Sequence, residues 1–383
     1  MKLHRLPGHV VLVLLGLMLA SLVAWGNSAQ AAGLLGLLER EVDSDSRQCQ
    51  AGSAAEVAPE VIDEIFPDII YKTPSRDHGS EQLFRPIRQV AEPLTRLGSA
   101  CLAGDTASCR RFQSWTQSLV AADALRFDRE KHRPSPVSFV AGTLSGNLTI
   151  RPIATYADAL REKGLIRFDA EAFSAWLHRR VAEYDHFPTR LNPGAAQNMV
   201  LNSVLAQLTA DMVGTVPSSV TNAPSLVRAQ QLYRLYLDTA RKDGSLPAET
   251  RRGISALKYS NMATGGLVVL AELTQASSTR LYDYTSPNGI DLHQVVSFLV
   301  KAMADDSVIA DYAKENYAPT DKVNGLGQAR AYTRDQLGWM TLYIRRFPAH
   351  QNTRALAAYL DIATRSSWGY FDEIVGAYMG CNY

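Results

Sequence analysis

The chain has 383 residues, with 39 Lys and Arg against 38 Asp and Glu and a hydrophobic content of 46%. A net charge of +1 gives no electrostatic reason to expect nucleic acid or an anionic membrane as a partner. With 20% charged and 8% aromatic residues, the chain is neither disordered nor collagen-like, and its length permits one large domain or two smaller ones.

The first 31 residues have the pattern of a secretory signal peptide. Lys2 and Arg5 precede an apolar segment over residues 10–25, and Ala29 and Ala31 place small residues before a cleavage site. The apolar segment is short for a membrane span, and an uncleaved anchor is the alternative. Because no later stretch approaches about 20 apolar residues, we expect no stable membrane insertion after cleavage and a periplasmic or secreted protein.

Export favours disulfides among the four cysteines, Cys49, Cys101, Cys109 and Cys381. No two of them are separated by two residues, so a zinc site built from cysteines is not expected. Four cysteines allow three pairings, and their spacing does not choose among them. We therefore predict two disulfides that hold the N-terminal region and the C-terminus, without assigning the pairs.

Beyond an irregular segment at residues 32–80, the hydrophobic pattern becomes helical. Phe112, Trp115, Leu119 and Ala122, for example, recur at steps of three and four, as on one face of an amphipathic helix. Comparable patterns predict helices over residues 107–125, 170–184, 224–240, 253–275, 290–303 and 333–347. Strand-like alternation is scarce, and short turns separate the helices. The sequence predicts an all-α fold in which residues 81–383 form one domain, an incomplete toroid or barrel of helical hairpins.

One stretch, residues 243–261, reads DGSLPAETRRGISALKYSN and is the most informative part of the chain. It opens with a turn and an extended Leu-Pro step, and a helix then follows. If that helix begins as early as Glu249, Arg252 and Tyr259 lie on one face, about 10 Å apart along the axis. A guanidinium and a phenol at this spacing have room for one sugar ring between them.

Such a pair suits the removal of a proton next to a sugar carboxylate. The carboxylate already carries charge, so a cation or strong hydrogen-bond donors must neutralise it before a base can take the proton. A tyrosine near a cation loses its own proton more readily and can act first as base and then as acid toward the leaving oxygen. This chemistry needs neither a metal nor a cofactor, and we predict none.

The same stretch resembles the alginate lyase family of periplasmic poly-mannuronate lyases, in which Leu-Pro-x-Glu and basic residues lead to Arg-Ala-Leu-x-Tyr-His-Asn. Further similar segments occur in the same order between residues 70 and 345, including CRRFQSWTQSLVAADAL at residues 109–125. The resemblance implies an (α/α) toroid and an acidic polysaccharide as the partner. It also implies that Tyr259 is the catalytic tyrosine, that Arg252 supports it, and that Lys72 contacts substrate from a lid loop.

The sequence departs from the family where an Asn-Asn-His run neutralises the uronate carboxylate. Residues 192–204 read NPGAAQNMVLNSV and contain no histidine, so Gln197 and Asn198 are the hydrogen-bond donors that we expect there. His186, near the end of the preceding helix, is another source of an imidazole for substrate binding. We predict a polysaccharide lyase acting by β-elimination, with Tyr259, Arg252, Asn198 and Gln197 as its catalytic residues.

Two other functions stay open at this point. Without the histidine, the protein can be a sugar-binding homologue that lacks turnover. A glycoside hydrolase would need two carboxyl groups about 5 to 9.5 Å apart, and Asp185, Asp211 and Glu249 are available but not paired by spacing. Trp339 and Tyr343 are further predicted substrate contacts, with Trp339 able to stack on a sugar face.

Overall fold

The computed structural model describes residues 34, 37–38, 87–132, 136–186, 191–214, 223–275, 280–313, 336–364 and 370–379. The predicted signal peptide, most of the irregular segment, Lys72, Cys49 and Cys381 lie outside the described residues.

Helices make up nearly all of the regular structure in these ranges. After a π-helical turn at Ile87–Ala91, they are α1 (Glu92–Leu102), α2 (Thr106–Ala121), α3 (Arg129–His132), α4 (Pro136–Glu162), α5 (Ala170–Glu183), α6 (Asn198–Met212), α7 (Pro224–Thr239), α8 (Pro247–Thr250), α9 (Ala256–Leu273), α10 (Leu292–Ala304), α11 (Ser307–Ala310), α12 (Gly338–Arg346) and α13 (Gln351–Thr364). An antiparallel hairpin of β1 (Tyr370–Asp372) and β2 (Ala377–Met379) follows. None of the described helices combines the length and the apolar character that a bilayer span requires.

Two helices, α6 and α9, are surrounded by the others. α6 packs against α4, α5, α7 and α9, and α9 packs against α6, α10 and α12. As a result every residue of α9 from Ser260 to Leu273 is buried. A helix that is enclosed on all sides has no polar face, so α9 is apolar almost throughout, and Tyr259 lies just before its fully buried part.

Adjacent glycines let α9 approach its neighbours closely. A Cβ atom on Gly265 would lie 2.5 Å from Cδ1 of Trp339 on α12, and one on Gly266 would lie 2.5 Å from Cδ2 of Leu201 on α6. Both distances are far below van der Waals contact. The backbone of α9 therefore rests directly on side chains of α6 and α12, which fixes the position of α9 between them.

The predicted helices are present, with shifts at their ends. The helix predicted over residues 107–125 ends at Ala121, and beyond it Asp123 and Leu125 adopt left-handed φ angles of 47° and 61°. The long helix α4 and the β1–β2 hairpin were not among the segments that periodicity indicated. α4 contains Pro152 in its interior.

One disulfide, between Cys101 and Cys109, joins the end of α1 to the start of α2. It links two consecutive helices across their connecting turn, a more local role than the predicted anchoring of the N-terminal region and the C-terminus.

Candidate active site

The Arg252–Tyr259 pair is brought together by a turn rather than by one face of a helix. α8 stops before Arg252, a 3₁₀ turn covers Gly253–Ser255, and α9 begins only at Ala256. Gly253 has a φ of 58°, a left-handed value that glycine adopts without strain. The single continuous helix considered from the sequence is therefore not formed. The pair is close nonetheless, since Cζ of Arg252 lies 4.9 Å from the centroid of the Tyr259 ring.

Both side chains of this pair are half-buried, so part of each is accessible from outside. The Tyr259 ring packs against the hydrophobic core, and the guanidinium of Arg252 lies over the ring. A cation over an aromatic face is stabilised by about 0.5–1 kcal/mol at an exposed site. The contact holds a permanent positive charge next to the phenol.

Glu249, three residues before Arg252, is buried, with 1% of its surface exposed. Its Oε1 accepts hydrogen bonds from the backbone N–H of Asn198 at 2.6 Å and from the Tyr236 hydroxyl at 3.4 Å. Its Oε2 accepts a hydrogen bond from Nδ2 of Asn198 at 3.3 Å. Burial raises the pKa of Glu249 to about 8, although the Asn198 N–H and the charge of Arg252 act to lower it. This carboxyl group ties the start of α6 to the turn that carries Arg252.

Asn198 is more constrained than the sequence suggested. It is 6% exposed, its Nδ2 donates to Glu249, and its carbonyl accepts a hydrogen bond from Nδ2 of Asn202 at 2.9 Å. Oδ1 of Asn202 accepts a hydrogen bond from Nη1 of Arg151 at 3.5 Å, and Nη2 of Arg151 donates to the Ile374 carbonyl at 2.7 Å. Polar contacts therefore connect the β1–β2 hairpin, through Arg151 and Asn202, to the backbone carbonyl of Asn198.

A cavity of about 450 Å³ opens at the N-terminal end of α6. Charged, aromatic and amide side chains line it, namely Arg129, Phe139, Asp185, His186, Asn192 and Gln197. A cavity of this size, with an aromatic wall and a few convergent polar groups, has the character of a small-ligand site. Of the predicted site residues, it brings His186 and Gln197 together.

His186 is half-buried on the wall of this cavity. Its ring centroid lies 6.0 Å from that of Phe139, and its backbone N–H donates to Oγ of Ser203 at 3.1 Å. Burial lowers the pKa of His186, Arg129 acts in the same direction, and Asp185 opposes both. The imidazole is therefore mainly neutral at neutral pH.

Trp339 and Tyr343 are completely buried, so the structure does not support their predicted contacts with substrate. Nε1 of Trp339 donates to Oδ1 of Asn261 at 3.0 Å. The Tyr343 hydroxyl contacts Nδ1 of His293 at 2.7 Å and Nδ1 of His350 at 3.1 Å. Both aromatic residues belong to the packing of α12 against its neighbours.

The two residues that follow Tyr259 have structural surroundings. Ser260, where the family resemblance has a histidine, is buried, with 2% of its surface exposed. Asn261 is fully buried, and its Nδ2 donates to the Gln336 carbonyl at 3.0 Å. The Tyr-x-Asn pattern therefore combines one accessible residue with an asparagine that holds the start of α12.

The three carboxyl groups considered for hydrolysis have separate partners. Asp185 accepts a hydrogen bond from Ser203 at 3.2 Å, and Asp211 contacts Nε2 of His178 at 2.8 Å. Glu249 is held by Asn198, as described above. None of these contacts brings two of the carboxyl groups together, so the described residues give no support to a hydrolase.

Sequence reasoning did not assign Arg129 to the site. Its Nη1 donates to the carbonyl groups of Ala182 at 3.1 Å and Asp185 at 2.6 Å, at the end of α5. Its Cζ lies 5.2 Å from the centroid of the Phe139 ring. No local sequence pattern predicts these long-range contacts. For Glu249, in contrast, the Leu-Pro-x-Glu pattern was an available signal.

These hairpins of helices form an incomplete α/α toroid, the fold class predicted from the sequence. The crystal structure of alginate lyase A1-III from Sphingomonas species A1 matches it with a TM-score of 0.62 and 17% identity, over 91% of this chain and 94% of that one. A histidine-to-alanine variant of alginate lyase A1-III in its apo form gives a TM-score of 0.62 and 17% identity, over 92% and 95%. A variant complexed with tetrasaccharide gives 0.60 and 18%, over 91% and 93%.

The sequence model of the alginate lyase family matches residues 107–309, which is more than half of the chain. The protein therefore belongs to the alginate lyase family. A comparison with proteins of curated function found no match.

Proposed function

We propose that this protein is a polysaccharide lyase that cleaves an acidic, uronate-containing polymer of the alginate type. The observation that carries the proposal is the half-buried Tyr259, with the guanidinium of Arg252 4.9 Å from its ring centroid. Membership of the alginate lyase family supports this class of reaction. A variant of alginate lyase A1-III, which has the same fold, is complexed with a tetrasaccharide.

In the proposed β-elimination, Tyr259 removes the proton from the sugar carbon that bears the carboxylate. The electron pair left behind forms a double bond to the neighbouring ring carbon, and the bond from that carbon to the glycosidic oxygen breaks. Tyr259 then returns the proton to the departing oxygen, so no water is consumed. One side chain serves as base and then as acid, with the Arg252 cation beside it.

The substrate carboxylate needs neutralisation while the adjacent carbon is deprotonated. Arg252 supplies a permanent charge, and the amide groups of Gln197 and Asn198 supply hydrogen bonds. Removing one preorganised donor typically raises a barrier by about 3 kcal/mol. A site that replaces a histidine by amides is therefore slowed rather than inactivated.

We assign the cavity at the start of α6 to substrate binding. The ring of Phe139 offers an apolar wall, and Arg129 and His186 offer donors for the hydroxyl and carboxylate groups of a sugar. Lys72, outside the described residues, remains a predicted contact from the lid segment at residues 32–80.

We propose that the chain has three regions: a signal peptide at residues 1–31, the lid segment, and a toroid domain at residues 81–383. Because the N-terminal sequence has the pattern of a signal peptide, we expect the protein in the periplasm or outside the cell. N-terminal sequencing of the mature protein should find Ala32 as the first residue. A mature chain that begins at Met1 would contradict this organisation.

The test is turnover of poly-mannuronate, poly-guluronate and another uronate polymer by the purified mature protein. A lyase produces unsaturated ends that absorb ultraviolet light, in equal number to the new reducing ends. A hydrolase produces reducing ends without the absorbance. Absence of absorbance on all three polymers, while an active alginate lyase produces it in the same buffers, would contradict the proposal.

A sugar-binding protein without turnover is the second candidate. The observation that favours it is the commitment of the Asn198 amide to Glu249, at 3.3 Å, in a site that lacks the family's histidine. This candidate predicts that calorimetry detects binding of a mannuronate oligosaccharide and that no product forms. Binding should then weaken when Arg252 is replaced by Gln.

A further inference from the structure

Glu249 is a buried carboxyl group for which the proposed reaction has no direct use. A buried carboxyl group is unfavourable unless hydrogen bonds and neighbouring charges compensate it. Here the compensation comes from groups at the candidate site itself. Both of its oxygens accept hydrogen bonds, and both bonds at or below 3.3 Å come from Asn198.

The two bonds from Asn198 form a clasp. Oε1 holds the backbone N–H at 2.6 Å and Oε2 holds Nδ2 at 3.3 Å, so the position and the rotation of the amide side chain are both fixed. An amide nitrogen carries two hydrogens. With one directed to Glu249, the orientation of the other is determined as well.

Glu249 acts on Arg252 in two ways. Its carbonyl accepts a hydrogen bond from the backbone N–H of Arg252 at 3.2 Å, which helps to form the turn between α8 and α9. Its carboxylate also attracts the Arg252 guanidinium electrostatically. The same residue is therefore linked to the amide and to the cation that surround the substrate carboxylate in the proposed reaction.

We infer that Glu249 is a positioning residue: its carboxylate orients the Asn198 amide, and its backbone carbonyl helps to hold the turn that carries Arg252, so that both groups are placed around the carboxylate of a bound uronate. This inference rests on the proposed function. Glu249 touches neither substrate nor reacting atoms, and its effect passes through the two groups that it holds.

The ionised form of Glu249 is the form that accepts all of these hydrogen bonds. The charged and titratable groups that face it are Tyr236 on α7 and Arg251 and Arg252 on the turn, while Asn198 faces it from α6. Since the pKa of Glu249 lies near 8, the clasp strengthens as the pH rises through weakly alkaline values.

The experiment compares Glu249→Gln and Glu249→Asp with Glu272→Gln in the full mature chain. Glu272, on α9, is a matched control because it is also a buried glutamate. Its partners are Arg346 at 2.8 Å and Tyr282 at 2.9 Å, which lie away from the site. We expect Glu249→Gln to lower kcat by about 10- to 100-fold with a smaller change in KM, since misplaced groups at a reacting centre carry costs of this size. Glu249→Asp should lower kcat less, and Glu272→Gln should keep the wild-type kcat per folded molecule.

The pH profile separates positioning from mere folding. Wild-type kcat should rise between about pH 7 and about pH 9 through a group with the pKa of Glu249, and this rise should be absent in Glu249→Gln. A wild-type kcat and pH profile in Glu249→Gln would overturn the inference and leave the proposed function intact. If neither Glu249 variant folds, a wild-type kcat that is flat over this range overturns it.

Failure of the proposed function has a different signature. If the wild-type protein forms no unsaturated product on any uronate polymer, calorimetry with a mannuronate oligosaccharide replaces the activity assay. Glu249→Gln should then weaken binding about tenfold or more, because two carboxylate contacts are misplaced. Equal affinity of Glu249→Gln and the wild-type protein would overturn the positioning role.

Discussion

Two tyrosines of this protein sit among charged or titratable side chains, and their surroundings differ in one decisive respect. Tyr259 is half-buried, and the Arg252 guanidinium lies over its ring. Tyr343 is fully buried, and its hydroxyl lies between Nδ1 of His293 and Nδ1 of His350. On composition alone, a tyrosine with two histidines looks more like a catalytic site than a tyrosine with one arginine.

Access and charge, not the residue types, distinguish the surroundings of the two tyrosines. Burial raises the pKa of Tyr343 to about 12, and the hydroxyl is surrounded by protein groups that already hydrogen-bond with it. His293 and His350 stack with ring centroids 4.3 Å apart, so they pack on each other. The Tyr343 cluster therefore holds helices α10, α12 and α13 together, while Tyr259 remains available to a ligand.

Replacement of Tyr259 by Phe gives the largest expected effect. In the proposed reaction, the substitution removes the group that transfers the proton, and such groups contribute about 10²- to 10⁴-fold. We expect a loss of lyase activity in that range, with the thermal unfolding temperature unchanged. A Tyr259→Phe variant with more than half of the wild-type activity would remove the functional difference between the two tyrosines.

Replacement of Arg252 by Gln comes next. The substitution removes the cation beside the phenol, which in the proposed reaction also neutralises the substrate carboxylate, and should lower kcat about 10²- to 10³-fold. Arg251→Gln is the matched control, since this exposed neighbour should keep kcat within about threefold. Equal losses in the two variants, measured by initial rates on the preferred polymer, would show that general positive charge matters rather than the contact with Tyr259.

Replacement of Tyr343 by Phe tests whether the hydroxyl of this residue serves only to stabilise the fold. The hydroxyl has contacts with two histidines and with Nδ2 of Asn352 at 3.4 Å, and its loss removes all three contacts from the junction of α10, α12 and α13. We expect a decrease in the free energy of unfolding of about 1–3 kcal/mol and unchanged activity per folded molecule. Urea denaturation and initial rates on the same preparation measure both, and a fall in kcat without destabilisation would speak against a packing role.

The smallest expected effect is the pH dependence of stability at His293. Burial lowers the pKa of His293 below the ordinary value of 6.5, the neighbouring His350 acts in the same direction, and Asp291 opposes them. The unfolded chain binds the proton more tightly, so this contribution to stability is present above pH 6.5 and is lost as the pH falls through the lower, folded-state pKa.

The His293 prediction is measured as the shift of the urea midpoint between about pH 7.5 and about pH 5. His293→Gln should reduce the wild-type shift. His178 provides a contrast, because its hydrogen bond to Asp211 raises its pKa, and His178→Gln should change the shift in the opposite direction. A His293→Gln variant with the full wild-type shift would contradict the assignment.

The sequence predicted best those helices that have one face in solvent. α2 and α5 expose polar residues on one side, so their apolar residues recur at helical spacing and mark them clearly. α6 is buried on nearly all sides and shows no such stripe. It is accordingly absent from the helices that periodicity predicted.

At the site, the sequence predicted the residue types better than their geometry. Arg252 and Tyr259 do meet, but through a glycine-containing turn that periodicity cannot reveal, because helical spacing presupposes an unbroken helix. Trp339 was misjudged because the space it fills is created by Gly265, which is distant in the sequence. Contacts of this kind depend on the packing of whole helices.

We propose that the region around Tyr259 breaks a glycosidic bond by elimination, and the mass of the reaction product distinguishes elimination from hydrolysis. Digestion of poly-mannuronate by the wild-type protein should give oligosaccharides whose new non-reducing ends are each lighter by one water than those from hydrolysis, and Tyr259→Phe should give almost none. Oligosaccharides of the hydrolytic mass, or an equal yield of unsaturated product from Tyr259→Phe, would contradict it.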